Sequence, residues 1–389
     1  MKTAIPTAKD KILFTPGPLT TSLDVKQAML RDAGSWHFEF NERVAGIRGQ
    51  LLELAGVGEE GSYTAVLMQG SGSFGVEAVL GSVVPEEGKL LVLVNGAYGE
   101  RMVQMARHLR LKHCSLRWDE NVTPDLEQIQ QVLKDDAAIT DVAVVHCETS
   151  TGIENPIVEI GRIVKAAGRT YIVDAMSSFG ALEIPLEEAG IHYLISSANK
   201  CIEGVPGFSF VIARRAELMA TEGRARSLCL DLVGQLKGFE TNGQFRYTPP
   251  THSVLAFEQA LRELAMEGGI TARGARYRQN HEVLVKGMRN LGFRTYLDPA
   301  LQSFIITSFH FPEDPKFLFN EFYRGLSEKG FIIYPGKIAK ADLFRIGSIG
   351  RIFPADIRAL LGAIGDTVQE LGLDLHYRNP AATPSQKSA

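Results

Sequence analysis

Lys200 has the sequence setting best suited to nucleophilic chemistry in this chain. It follows the β-rich run YLISS (193–197) and precedes CIEGVPGF (201–208), which is not the context of a solvated surface lysine. A lysine withdrawn from water has its ammonium form disfavoured, and the free amine is a nucleophile. The alternative is a buried ion pair.

Asp174 stands near the end of another apolar run, YIVDA (171–175). A carboxylate in such a place can pair with a protonated pyridine nitrogen and keep the ring an electron sink. The alternative is a helix N-cap, because Ser177 and Ser178 follow. The lysine about one strand unit later favours the first interpretation.

A glycine- and serine-rich loop, Gly70 to Ser73, lies between the run TAVLMQ (64–69) and a predicted helix at 74–83. Free N–H groups at a helix N-terminus and two hydroxyls can hold an anion, although a tight turn with a serine cap has the same letters. The loop also matches G-x-G-x-x-G, the pattern of dinucleotide-binding sites. Such sites have an acidic residue about 20 positions further on, where this chain has Asn95. A dinucleotide site is therefore disfavoured.

Short β-rich runs alternate with helical patterns through the first two thirds of the chain, which predicts an α/β fold with a mostly parallel sheet. The runs are 64–69, 90–95, 142–146, 171–175, 193–197 and 208–213, and the helices between them include 98–110 and 156–167. Ligands of open α/β sheets bind outside the carboxyl ends of the strands. Polar loops follow five of these runs, at 69–74, 95–99, 146–152, 174–178 and 196–200. Their convergence predicts one site.

A second, smaller α+β domain is predicted after the sheet. Long helical patterns cover 252–269, 272–291 and 354–371, with short strands near 304–309 and 331–334. We expect an N-terminal segment (1–21) near the site, a large domain (22–265), a small domain (266–375) and a disordered tail (376–389).

Composition narrows the classes of function. The 389 residues carry a formal net charge of -4, with no basic excess that would indicate nucleic acid or a membrane as partner. Four cysteines without CxxC spacing predict neither a metal site nor a disulfide framework. No secretory signal and no apolar run of about 18 residues is visible, so we expect a cytoplasmic protein.

Longer strings across the chain resemble the class V aminotransferases, a group of fold-type I enzymes that use pyridoxal 5′-phosphate (PLP). The strings are TPGPLTTS (15–22), YTAVLMQGSGSF (63–74), VNGAYGERM (94–102), VHCETSTG (145–152), IVDAMSSFG (172–180), LISSANKCIEGVPGF (194–208), YPGK (334–337) and FRIGSIG (344–350). The resemblance implies a large PLP-binding domain and a small C-terminal domain.

The resemblance also implies cofactor residues. Lys200 would hold PLP as a Schiff base and move protons, and Asp174 would pair with the pyridine nitrogen. Tyr98 would lie over the ring and Thr149 near its hydroxyl group. The remaining cofactor-binding residues are Ser71, Gly72, Ser73 and Asn199 at the phosphate, together with Met176.

Two further residues follow from the same resemblance. Thr248, in FRYTPPTH (245–252), matches a phosphate ligand donated by the neighbouring subunit, which implies a homodimer. Arg345 matches an arginine that binds the acidic group of the substrate, and a planar guanidinium suits a carboxylate or phosphonate. The alternative for Arg345 is a surface ion pair.

The strings are most similar to enzymes that take 2-aminoethylphosphonate as amino donor and pyruvate as acceptor. Two segments, 32–40 and 232–240, depart from that pattern, and such segments approach the substrate entrance. An alanine- or serine–glyoxylate aminotransferase would share the cofactor residues. A cysteine desulfurase is disfavoured because Asn199, not histidine, precedes the lysine. A non-catalytic regulator is disfavoured by the intact set of Lys200, Asp174 and Arg345.

Overall fold

The structure is a computed structural model that describes residues 10–57, 61–336 and 341–375. The predicted tail and the first nine residues lie outside the described residues. Within the described residues, no helix is both long and apolar enough to cross a membrane.

Fourteen strands occur in the described part of the chain. They are β1 Ile12–Leu13, β2 Tyr63–Gln69, β3 Lys89–Val94, β4 Lys112–Arg117, β5 Ile139–Val145, β6 Cys147–Glu148, β7 Ile153–Glu154, β8 Thr170–Asp174, β9 Tyr193–Ser197, β10 Phe208–Arg214, β11 Ile306–His310, β12 Phe331–Ile332, β13 Tyr334–Pro335 and β14 Leu343–Gly347.

The same residues form twelve helices. They are α1 Leu23–Ala28, α2 Phe38–Leu54, α3 Gly72–Val83, α4 Ala97–His108, α5 Leu126–Asp135, α6 Ile157–Ala166, α7 Arg215–Met219, α8 Leu232–Asn242, α9 Thr251–Glu267, α10 Gly269–Leu291, α11 Phe319–Glu328 and α12 Pro354–Glu370.

A seven-stranded sheet in the order β2-β10-β9-β8-β5-β3-β4 forms the centre of the larger of the hydrophobic cores. β10 is antiparallel to both of its neighbours, and the other pairs are parallel. Helices cover the sheet, with α3 against β9 and β10, and α4 against β3. Because both faces are covered, the inner strands are apolar along their whole length. The predicted α/β fold with a mostly parallel sheet is confirmed.

Some predicted boundaries were wrong. α3 begins at Gly72, two residues before the predicted start, so Gly72 and Ser73 lie in its first turn and Ser71 is its N-cap. The strand β4 (KHCSLR) was not predicted, because it pairs on one side only and its polar residues mask a strand pattern. The predicted helices at 252–269 and 272–291 are separated only by Gly268, whose φ of 106° ends α9.

A second hydrophobic core surrounds the antiparallel sheet β11-β14-β13 near the C-terminus. Phe309, Phe322 and Phe344 are fully buried in it, between α10, α11 and α12. The N-terminal segment belongs to this core as well, because β1 pairs with β12 and Phe14 packs among these rings. The N-terminal segment therefore packs on the small C-terminal core.

Candidate active site

A cavity of about 240 Å³ lies at the carboxyl ends of β8 and β9, beside the N-termini of α3 and α4. Eight of the eleven predicted site residues line this cavity: Ser71, Gly72, Ser73, Tyr98, Asp174, Met176, Asn199 and Lys200. The polar loops after different strands thus meet at one edge of the sheet, as parallel strands dictate.

Lys200 projects into this cavity three residues after β9 ends. Burial lowers the pKa of its ammonium group, against the raising effects of Tyr98, Cys201 and Asp174. Its Nζ donates a hydrogen bond of 2.6 Å to the carbonyl oxygen of Pro16. A lysine with a lowered pKa and one backbone acceptor can deliver a neutral amine to an electrophile.

Asp174 is the last residue of β8 and is 5% exposed. Its Oδ1 accepts a hydrogen bond of 2.9 Å from the amide of Met176, and no helix follows, so the N-cap alternative is wrong. Burial raises the pKa of this carboxyl to about 7. A cation in the cavity would restore the ionised form, which is the partner a pyridinium nitrogen requires.

The N-terminus of α3 faces the same cavity. Ser71 caps the helix without a side-chain hydrogen bond to it, so its hydroxyl and the first amides of the helix are available to an anion. Gly72 allows the close approach of Met176, because a Cβ at this position would overlap the methionine sulfur. This end of the cavity suits a phosphate group.

Glu148 accepts hydrogen bonds from the first turn of α4, a role that the sequence pattern did not predict. The side chain is fully buried, and its Oε2 accepts hydrogen bonds from the amides of Tyr98 at 3.0 Å and Gly99 at 3.2 Å. Oε1 accepts from the Ser150 hydroxyl at 2.9 Å. Burial raises the pKa of this carboxyl, opposed by these donors. Glu148 therefore fixes the backbone that carries the aromatic ring of Tyr98.

Arg345 lies in the middle of β14, 2% exposed and not on the wall of this cavity. Its Nε donates to the carbonyl of Pro335 at 2.9 Å, and its Nη1 donates to the carbonyl of Thr149 at 2.6 Å. The Tyr98 phenol is a further hydrogen-bonding partner. Burial lowers its pKa from a very high ordinary value. The surface ion pair considered above is wrong, because this guanidinium is buried on backbone carbonyls.

Thr149 and Thr248 do not line the cavity. Thr149 is buried, and its carbonyl joins the segment after β6 to Arg345. Thr248 is exposed in the loop between α8 and α9, where its carbonyl accepts from Gln69 Nε2 at 3.4 Å. The structure therefore gives Thr248 no contact with the site of its own chain.

The TPGP segment (15–18) belongs to a string that resembles the family, but its contact with Lys200 was not predicted. Gly17 lines the cavity with a φ of 120°, and a Cβ there would lie 2.6 Å from Lys200 Nζ. Arg101 also lines the cavity and was not predicted, although it stands three residues after Tyr98 on one helical face. Both contacts join segments that are distant or inconspicuous in the sequence.

A cofactor with an aldehyde, a pyridine ring and a phosphate needs an amine, a buried acid and an anion site in one cleft, and this cleft contains all three. Fold and site together define the class of fold-type I PLP enzymes. The sequence model of the Aminotransferase class-V family matches residues 21–333, and the chain belongs to this family, whose members depend on PLP.

Relatives with assigned activities cover nearly the whole chain. The 2-aminoethylphosphonate–pyruvate transaminase of Salmonella paratyphi B is 54% identical over 360 residues, which is 92% of this chain and 98% of that protein. The protein of the same name from Syntrophobacter fumaroxidans is 53% identical over 362 residues, 93% of this chain and 97% of its own length.

A solved structure supports the fold. The pyridoxamine–pyruvate aminotransferase of Mesorhizobium loti superposes with a TM-score of 0.85 at 23% identity, covering 95% of each chain. At this level of identity, the similarity concerns the fold alone.

Proposed function

We propose that this chain transfers the amino group of 2-aminoethylphosphonate to pyruvate, giving phosphonoacetaldehyde and alanine. The observation that carries the proposal is the identity of 54% over 92% of the chain to an enzyme with that name. The buried Arg345 supports it, because both substrates present an acidic group that a guanidinium can bind.

The residues of the cavity have distinct roles in this proposal. When bound, PLP supplies an aldehyde that takes up the amino group and a ring that accepts electrons. Lys200 would hold the aldehyde between turnovers, and its free amine would move a proton at the amine-bearing carbon of the donor. Asp174 keeps the ring nitrogen protonated. The N-terminus of α3, with Ser71, Gly72, Ser73 and Asn199, holds the phosphate.

The other predicted residues surround this centre. Tyr98 would stack on the cofactor ring, from a helix end that Glu148 fixes. Met176 follows Asp174 on the cavity wall, and Thr149 lies on the side of Arg345. Arg345 binds the phosphonate of the donor and then the carboxylate of pyruvate in the same place.

We further propose that the enzyme is a cytoplasmic homodimer of two-domain subunits. The exposed position of Thr248 supports a role at the site of the partner subunit. The separate cores support a large domain at 22–265 and a small domain at 266–375. The pairing of β1 with β12 supports the assignment of 1–21 as a segment between the small domain and the site.

A donor and acceptor comparison tests the proposed substrates. The purified holoenzyme is mixed with 2-aminoethylphosphonate, alanine or serine, and the loss of the absorbance of the lysine-bound cofactor is followed in single turnovers. We expect the phosphonate donor to react fastest, and pyruvate to restore the absorbance faster than glyoxylate. Faster reaction with serine and glyoxylate would assign the chain to the other type of class V enzyme.

A further inference from the structure

Arg101 connects two parts of the cofactor cavity. It lies on α4 and lines the cavity, and its Nη1 donates a hydrogen bond of 3.1 Å to the hydroxyl of Ser73. Its guanidinium carbon is 4.9 Å from the centroid of the Tyr98 ring. The side chain therefore contacts both the proposed phosphate site and the proposed ring-stacking residue.

The other charged residues that line the cavity leave Arg101 available to the phosphate. Its lining residues include two cations, Arg101 and Lys200, and one carboxylate, Asp174. The Lys200 amine is used to attach the aldehyde, and Asp174 is used to pair with the pyridinium. The phosphate, which carries nearly two negative charges, is otherwise met by amides, hydroxyls and the amide side chain of Asn199.

Arg101 forms no salt bridge among the described residues, although its charge acts on Asp174 across the cavity. The neighbouring carboxylate Glu100 is engaged by Arg117, whose Nε lies 2.7 Å from its Oε1. Its guanidinium therefore has no salt bridge to lose when the phosphate enters the cavity, and a charge-assisted contact with that phosphate can form.

We propose that Arg101 neutralises the phosphate of the cofactor, acting beside and through Ser73, and that the Tyr98 ring holds its guanidinium in place. The inference rests on PLP as the cofactor of the proposed function. It assigns Arg101 to phosphate affinity and not to the ring. Arg101 is thus a cofactor-binding residue beyond the set that the family resemblance suggested.

The test compares PLP with pyridoxal, which has the same aldehyde and ring but no phosphate. The cofactor-free wild type, Arg101→Met and Arg101→Lys are titrated with each compound, and binding is followed by quenching of tryptophan fluorescence. We expect Arg101→Met to raise the Kd for PLP by ~10-fold or more, as for loss of a charge-assisted contact, and to leave the Kd for pyridoxal within ~2-fold. Arg101→Lys should recover part of the loss.

A control variant and a salt titration test whether the effect on PLP binding is specific to the charge of Arg101. Arg107→Met removes an exposed guanidinium of α4 that does not line this cavity, and we expect it to change neither Kd. In the wild type, added salt should weaken the binding of PLP more than in Arg101→Met, since salt screens exposed charge pairs.

Equal losses for PLP and pyridoxal in Arg101→Met would overturn the proposal and assign the residue to support of the Tyr98 ring. Unchanged affinity for both compounds would overturn it as well. The measurement uses no amino donor or acceptor, so its outcome does not depend on the proposed substrates. Failure of the wild type to bind PLP at all would instead contradict the cofactor assignment.

Discussion

The charge of Asp174, at the end of β8, depends on the groups that surround its carboxyl. Asp174 is buried, and the amide of Met176 is the donor that stabilises its charge within the described residues. Burial outweighs that donor and raises the pKa to about 7. A protonated ring nitrogen beside the carboxyl would lower this pKa again, because it stabilises the ionised form.

A pH dependence of stability follows for the cofactor-free protein. The pKa of Asp174 rises from 3.8 to about 7 on folding, so the folded state binds this proton more tightly than the unfolded chain does. The stabilising contribution is complete below the unfolded pKa and is lost as the pH rises through about 7. We expect the free energy of unfolding of the wild type to fall, relative to Asp174→Asn, as the pH rises from 3.8 to about 7, and to change little above that. Denaturant unfolding at several pH values measures this difference.

Asp141 offers a matched control. It is also buried, and burial raises its pKa to about 6, but it lies on β5 outside the cavity lining. Saturation with PLP should suppress the pH-dependent difference for Asp174→Asn and leave that for Asp141→Asn intact. If PLP affected both differences alike, Asp174 would not be the partner of the ring.

Arg345 is expected to serve both substrates. Arg345→Ala should lower kcat/KM for 2-aminoethylphosphonate and for pyruvate. The activation free energy should rise by about 2–4 kcal/mol, as expected for a lost bidentate ionic contact. Arg345→Lys should rescue only part, because an ammonium lacks the planar fork. Single-turnover kinetics of each half-reaction measure the two losses separately.

The affinity for PLP controls for misfolding in these variants, because Arg345 does not line the cofactor cavity. It should stay near the wild-type value. A loss confined to the pyruvate half-reaction would mean that the phosphonate binds elsewhere. The atypical segment 32–40 would then be the first place to search.

The sequence predicted most strands of the large sheet and the reactive residues at their ends. The runs that became β2, β3, β5, β8, β9 and β10 were found within three residues of their observed ends. Lys200 and Asp174 were identified because a reactive group after an apolar strand is conspicuous. β14 was not predicted as a strand, although Arg345 was identified on it. The roles of Glu148 and Gly17 depend on contacts between distant segments, which no local pattern contains.

The loop at Gly17 should be essential for the position of Lys200. In Gly17→Ala, the backbone would keep an unfavourable positive φ, and the new methyl group would meet the lysine, with a Cβ to Nζ distance of 2.6 Å. We expect kcat to fall by ~10-fold or more, as when a reacting group is displaced by about an ångström. Single-turnover rates with saturating donor measure the effect.

Gly330→Ala is the control for backbone strain alone. Gly330 has a φ of 93°, and a Cβ there would meet no atom within 4 Å. Both variants should lose about 1–3 kcal/mol of stability from strain, but only Gly17→Ala should lose activity. Equal activity of the two variants would mean that the contact between Gly17 and Lys200 has no catalytic consequence.

One chain segment connects the small core to Lys200. Phe14 packs in the small core and its carbonyl accepts from the amide of Gly347, while Pro16 accepts from Lys200 two residues later. Arg276 connects the same regions, donating to the Gly350 carbonyl and to Glu203 in the loop after Lys200. Hydrogen bonds therefore connect the small core to the segments around Lys200.

The proposed dimer assigns one residue of each site to the partner subunit. Thr248→Val should weaken the retention of PLP, and Thr248→Ser should keep it, since the hydroxyl remains. Lys200→Ala should abolish turnover. If Thr248 serves the neighbouring site, a mixed dimer of Thr248→Val and Lys200→Ala subunits has one site with both lesions and one intact site.

Activity should then reappear when the two inactive proteins are mixed at a PLP concentration that leaves Thr248→Val mostly unloaded. Random pairing of equal amounts predicts about one quarter of the wild-type activity, because half of the dimers are mixed and each has one intact site. If Thr248 served its own subunit, every site would carry one lesion and mixing would restore nothing. Mixed dimers purified with two affinity tags make the distinction independent of the exchange rate, so inactive mixed dimers would contradict the shared site.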